Sequence, residues 1–123
     1  MMADVSVRAV RGAITVQEDT PDAIREATAE LLGALLERNG LDPGDLISMI
    51  FTTTPDLRAE FPAVAAREIG LGQVPLLCAS EIDVPGALGR CIRVMVHAEL
   101  PDGTHVRHTY LREARQLRMD LSE

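Results

Sequence analysis

The sequence predicts an α/β fold of the α+β kind: a mixed five-stranded sheet with one long and one short helix. Three observations carry this expectation. Five short apolar runs are bounded by Gly, Pro, Asn and Asp. One long stretch has the three- and four-residue apolar spacing of a helix. The elements follow in the order β-α-β-α-β-β-β, which gives a mixed sheet rather than a purely parallel one. One long helix covers a sheet face poorly, so exposed sheet surface is expected to meet another subunit.

The first strand is expected over Val5 to Val16, interrupted by Gly12. Thr20-Pro21-Asp22 then starts a helix: Thr can cap, Pro suits the first helical position, and Asp favours the positive end of the dipole. Ile24, Ala27, Leu31 and Leu35, widened by Leu32 and Leu36, form its core stripe, and Asn39-Gly40 stops it. After the turn Asp42 to Asp45, a second strand runs from Leu46 to Thr53 and Thr54-Pro55-Asp56 breaks it. A short helix is expected from Pro62 to Gly70, and a third strand from Val74 to Ala79. Following the loop around Asp83-Val84-Pro85-Gly86, the fourth strand spans Cys91 to Leu100. Pro101-Asp102-Gly103-Thr104 supplies a tight reversal, so Val106 to Leu111 is expected to pair back as a fifth strand. Glu113 to Glu123 reads as a short strand or turn followed by a frayed tail.

Residues 1–123 fit one domain, and 46% apolar with 25% charged residues is ordinary for a globular chain. Phe51, Phe61 and Tyr110 are its only Phe, Tyr or Trp residues, so aliphatic side chains must do most of the packing. A net charge of −7 argues against general nucleic-acid binding, which needs positive potential over the phosphates. Every basic residue is arginine, a composition that a GC-rich genome explains; each cation is therefore a planar fork suited to carboxylates. Cys78 and Cys91 have no metal-ligand spacing. With no secretory leader and no stretch of membrane-spanning length, the expected location is cytoplasmic, with no membrane partner.

Arg93 stands out within Cys91-Ile92-Arg93-Val94-Met95-Val96, which otherwise reads as a buried strand. Side chains alternate between faces, so Arg93 falls in the row of Cys91 and Met95. A guanidinium among apolar side chains needs an anionic or hydrogen-bonding partner. Arg11 ends the row Val5, Val7, Ala9 and precedes Gly12, where a ligand could approach the backbone. Two arginines at strand ends point to a pocket for a small anion.

Further residues then come in a telling order: Arg11-Gly12-Ala13-Ile14-Thr15-Val16, Thr54-Pro55-Asp56-Leu57, Phe61-Pro62-Ala63, Val74-Pro75, Cys78 and Glu81. Cys91-Ile92-Arg93-Val94-Met95, Arg107-His108, Tyr110-Leu111 and Leu117-Arg118 complete the series. It closely resembles the monofunctional AroH-type chorismate mutases, from about Val7 to Leu121. The resemblance implies a homotrimer with a pseudo-α/β-barrel core and active sites in clefts between subunits. It implies the Claisen rearrangement of chorismate to prephenate in aromatic amino-acid biosynthesis, with no cofactor and no metal.

That reaction is concerted and unimolecular. The enzyme holds a compact conformer and stabilises charge that separates as the C–O bond breaks. By the resemblance, Arg93 donates to the ether oxygen, Glu81 accepts from the ring hydroxyl, and Arg11 binds a carboxylate. Cys78 supports the ring hydroxyl or packs beside it, while backbone from Leu77 through Ala79 to Ser80 edges the pocket. Tyr110 contacts a carboxylate, Phe61 forms an apolar wall, and Leu117 adjoins Arg118, which with Arg67 raises the positive potential near the entrance. The chain departs from the family pattern at Val64, where a lysine is common, and at Leu77, where a threonine is common.

Each assignment has a plainer rival. Arg93 could be a structural ion-pair residue with Glu81 or Glu99, Cys91 reads as a small buried hydrophobe, and Tyr110 could serve an interface. His105 and His108 would lie on opposite faces of a strand, a weak basis for a metal site. Two other functions remain in view: a trimeric enamine/imine deaminase-like enzyme, and a non-catalytic module that binds anionic metabolites.

Overall fold

The computed structural model describes residues 4–118. β1 (Val5–Thr15) leads into α1 (Pro21–Arg38), and β2 (Leu46–Thr53) into the short α2 (Pro62–Ala66) and then β3 (Leu76–Ser80). β4 (Cys91–Pro101), β5 (Thr109–Leu111) and a 3-10 helix over Arg112–Arg118 complete the order. The sheet order is β3-β2-β4-β1-β5. β4 therefore lies in the middle, antiparallel to both β1 and β2, while β2–β3 and β1–β5 pair in parallel. The expected mixed five-stranded sheet with one long and one short helix is present.

α1 forms where its sequence places it. The Thr20 hydroxyl accepts from Ala23 N at 3.1 Å, Pro21 occupies the first turn, and Asn39 caps the end. Ile24, Ala27, Thr28, Leu31, Leu32 and Leu35 are buried against the sheet, and each such leucine contributes roughly 1.5–3 kcal/mol through burial. Val10, Ile14, Ile92, Val94, Val96, Met49 and Phe51 supply the sheet side of this core. Gly12 makes the contact possible: an added Cβ would lie 3.0 Å from Leu35 Cδ1 and 3.1 Å from Leu31 Cδ1. Its missing side chain serves helix packing on the core face, while its backbone also borders a cavity on the open face, where the sequence reading allowed a ligand to approach.

Two expectations change. The fifth strand does not pair back on β4, because both edges of β4 are already taken by β1 and β2. The chain instead passes to the far edge of β1, where only Thr109–Leu111 join the sheet. Residues 104–108 are not a strand, so the two-face argument for His105 and His108 does not apply. Asn39 replaces a neighbouring strand here: its side chain accepts from Arg107 N at 2.8 Å and donates to Arg107 O at 3.0 Å. The C-terminal segment forms the 3-10 helix rather than a strand or turn; the expected tail beyond Arg118 lies outside the described residues.

Smaller differences have local causes. After α2 the chain continues as a π-helical turn, Arg67–Leu71, with Gly70 at φ 95°. β3 begins after Pro75, which lacks a donor but whose carbonyl accepts from Met49 N at 3.0 Å.

The face of the sheet away from α1 is largely open, as expected. Val5, Val7, Ile50 and Leu77 lie on it with relative exposures of 54%, 61%, 37% and 60%. At one end Tyr110 and Ala114 close over Ala13 and Cys91 as a small second core, with Leu117 packed against it. That cap turns a flat sheet face into a cleft.

Candidate active site

Arg11, Arg93, Tyr110, Leu117 and Arg118 border one cavity of about 320 Å³. The floor is the open face of β1, β4 and β2; the wall is Tyr110 with the C-terminal 3-10 helix. Registration sets the floor: Arg93 pairs with Ala13 on one side and Thr52 on the other, and Arg11 with Met95. Because β4 is central, its arginine emerges in the middle of the floor. The 3-10 helix is held by Thr15, whose hydroxyl accepts from Glu113 N at 3.2 Å and whose carbonyl accepts from Arg112 Nη1 at 3.0 Å.

Glu81 adjoins this arrangement just past β3, where its N–H donates to Thr53 O at 2.8 Å. Its Oε1 accepts from Thr52 Oγ1 at 2.6 Å and lies 3.3 Å from Arg93 Nε. The ion pair is partly solvated, with side-chain exposures of 50% for Arg93 and 26% for Glu81, so its worth lies in orientation more than in stability. Pairing through Nε leaves the guanidinium further N–H donors for another acceptor. The structure thus pairs Arg93 with Glu81, one of the partners weighed above, beside the cavity rather than away from it.

A second cavity, of about 480 Å³, is bordered by Phe61, Cys78, Ala79 and Ser80, and the two cavities share no lining residue. Cys78 pairs with Phe51 and packs on the core side of β3, while Leu77 is exposed on the open face opposite Ile50. Arg67 is exposed on the π-helical turn and borders neither cavity. One chain therefore brings Arg11, Glu81, Arg93, Tyr110, Leu117 and Arg118 together, and holds Phe61, Cys78, Ala79 and Ser80 in a separate place.

Burial pushes the Cys91 thiol up, against the opposing pull of Arg93, so it is a neutral core group as read from sequence. The sequence reading passed over Thr52 and Thr15. A hydroxyl two residues beyond Ile50 was visible, but its place opposite Arg93 depends on the β2–β4 register.

Residues 7–121 match the family described as chorismate mutase type I. The chain belongs to that family. Its members are chorismate mutases, isomerases of aromatic amino-acid biosynthesis. The chain is 55% identical over 118 residues to chorismate mutase AroH of Thermus thermophilus, covering 94% of this chain and 96% of that one. It is 44% identical over 119 residues to chorismate mutase AroH of Bacillus subtilis (strain 168), covering 94% and 93%. Among solved structures, a chorismate mutase from Clostridium thermocellum is 48% identical with a TM-score of 0.86, covering 89% of this chain and 98% of that one.

Proposed function

We propose that this protein rearranges chorismate to prephenate in a cleft that a second copy of the chain completes. One observation supports this most: Arg93 and Glu81 stand side by side at a cavity that also presents Arg11 and Arg118. Chorismate is a dianion with an ether bond to break and a ring hydroxyl to hold. Arg11 takes a carboxylate through its planar fork, and Tyr110 meets a carboxylate through its hydroxyl. Arg93 donates to the ether oxygen as negative charge builds there, and Glu81 accepts from the ring hydroxyl beside the ring that becomes electron-poor. Arg118, and Arg67 from its own place on the surface, add positive potential, so that an acidic protein draws in an anion.

Phe61, Leu77, Cys78, Ala79 and Ser80 serve the same substrate from a neighbouring copy. A trimer built on the open sheet faces, with a pseudo-α/β-barrel core, buries Val5, Val7, Ile50 and Leu77 and seats the second cavity's residues opposite Arg93. The chemistry asks for no cofactor, and a cytoplasmic biosynthetic step suits it.

The test is direct. Purified protein is mixed with chorismate, and prephenate is followed by product analysis for the parent chain and Arg93→Gln. Loss of one such donor lowers kcat by about 10²–10³-fold, with a much smaller change in KM. Near-parental turnover in Arg93→Gln would sink the assignment.

A further inference from the structure

The backbone N–H of Arg11 ends on a ring instead of a carbonyl. β1 pairs with β5 only from Gly12↔Thr109 to Ile14↔Leu111. One residue earlier, Arg11 N donates to His108 Nδ1 at 3.0 Å. The segment carrying that ring is fixed independently: Arg8 Nη1 donates to Thr104 O at 3.0 Å, and Asn39 clamps Arg107. His108 is half-buried and does not border the cavity that Arg11 lines. Its hydrogen bond to the site is made through the Arg11 backbone.

We propose that His108 is a positioning residue for substrate binding, its neutral ring holding the Arg11 backbone in register at the rim of the cavity. The inference rests on Arg11 serving a substrate carboxylate. Nδ1 accepts only when the proton sits on Nε2 and the ring is neutral. An imidazolium presents an N–H at that position, leaves the Arg11 N–H without its acceptor, and adds a cation where several already face it. Those groups are Arg11 and Arg8 from β1 and Arg118 from the 3-10 helix; His105, a titratable group, lies on the same segment. Burial first, and then these charges, hold the ring below its ordinary pKa. The acceptor is therefore intact at neutral pH and is lost only on acidification.

Steady-state kinetics over roughly pH 5–8, the range in which histidine switches charge, test this on the parent chain, His108→Asn, His108→Leu and Arg11→Ala. Asn offers Oδ1 near the position of Nδ1 and does not titrate. In the parent, KM rises as pH falls through the ring's titration while kcat changes far less. His108→Leu raises KM over the parent by about threefold to tenfold at neutral pH, the size of one lost neutral hydrogen bond, and the gap closes below the ring's titration. His108→Asn recovers most of that affinity and removes the acidic rise. A parental KM in His108→Leu, an acidic rise that survives in His108→Asn, or a parental KM that falls on acidification each overturns the positioning role. Arg11→Ala separates the two layers. If its KM is unchanged, the carboxylate reading of Arg11 fails; if its KM rises while His108→Leu is unaffected, only the role of His108 fails.

Discussion

Thr52 and Arg93 face each other across the β2–β4 ladder and converge on a single atom, Oε1 of Glu81. The threonine donates at 2.6 Å while the guanidinium Nε lies at 3.3 Å. A threonine on a strand thus fixes the direction of a carboxylate that sits just beyond another strand, and that carboxylate steadies the arginine.

Thr52→Val keeps the shape and removes the donor. A hydrogen bond to a charged group contributes about 1.5–3 kcal/mol, so kcat is expected to fall about tenfold or more with KM less affected. Kinetics on chorismate check this, with Thr52→Ser restoring most of the rate.

The separation of the two cavities predicts complementation. Phe61 is 66% exposed, and Phe61→Glu would set a carboxylate against the substrate dianion. Arg93→Gln and Phe61→Glu should each be nearly inactive alone. Unfolded together and refolded, they should regain activity, because some clefts receive both intact sides. Mixed assemblies confirmed by mass spectrometry that show no gain would refute a shared site.

Gly12→Ala tests the helix contact. The new methyl meets Leu31, Leu35 and the Thr109 carbonyl at 3.0–3.2 Å, and overpacking of this kind costs about 1–3 kcal/mol. Thermal melts should show a lower Tm. Pairing with Leu35→Ala should recover part of the strain, which a double-mutant cycle reads directly.

Asp56 ties the start of β4 to the loop after β2. Its Oδ2 accepts from Arg90 N at 2.8 Å and its Oδ1 from Thr54 Oγ1 at 2.5 Å, while Thr54 Oγ1 accepts from Cys91 N at 2.9 Å. Burial alone would raise this carboxyl's pKa, but the Thr54 and Arg90 hydrogen bonds outweigh it and leave the group below its ordinary value. A carboxyl depressed on folding adds stability above its unfolded pKa of about 3.9. That stability disappears as pH falls through the folded value. Asp56→Asn should therefore lower the Tm at neutral pH, with the gap to the parent closing in strong acid.

The sequence made β1, α1 and β4 legible because each is long and patterned, and alternation alone placed Arg93 off the apolar row of β4. It misdirected the fifth strand because pairing is a competition between edges, and a tight reversal after Pro101 says nothing about which edges are already filled. The place of Thr52 opposite Arg93 was hidden for a related reason. A slip of one residue in the β2–β4 register would turn it to the other face. Gly12 was correctly marked as a place of close approach, but on its core side the approaching groups are Leu31 and Leu35 of α1, which no strand pattern could announce. The ordered motif set gathered the site residues without telling which of them one chain brings together.

The middle position of β4 also shapes how the chain is made. Its pairs with β1 join Val5 to Pro101 at one end and Thr15 to Cys91 at the other, so sheet closure waits on partners far apart in the polypeptide. Contacts of such sequence separation slow folding. During synthesis, β1, α1 and β2 leave the ribosome with no central strand to join them, their apolar edges bare to chaperones or to neighbouring nascent chains.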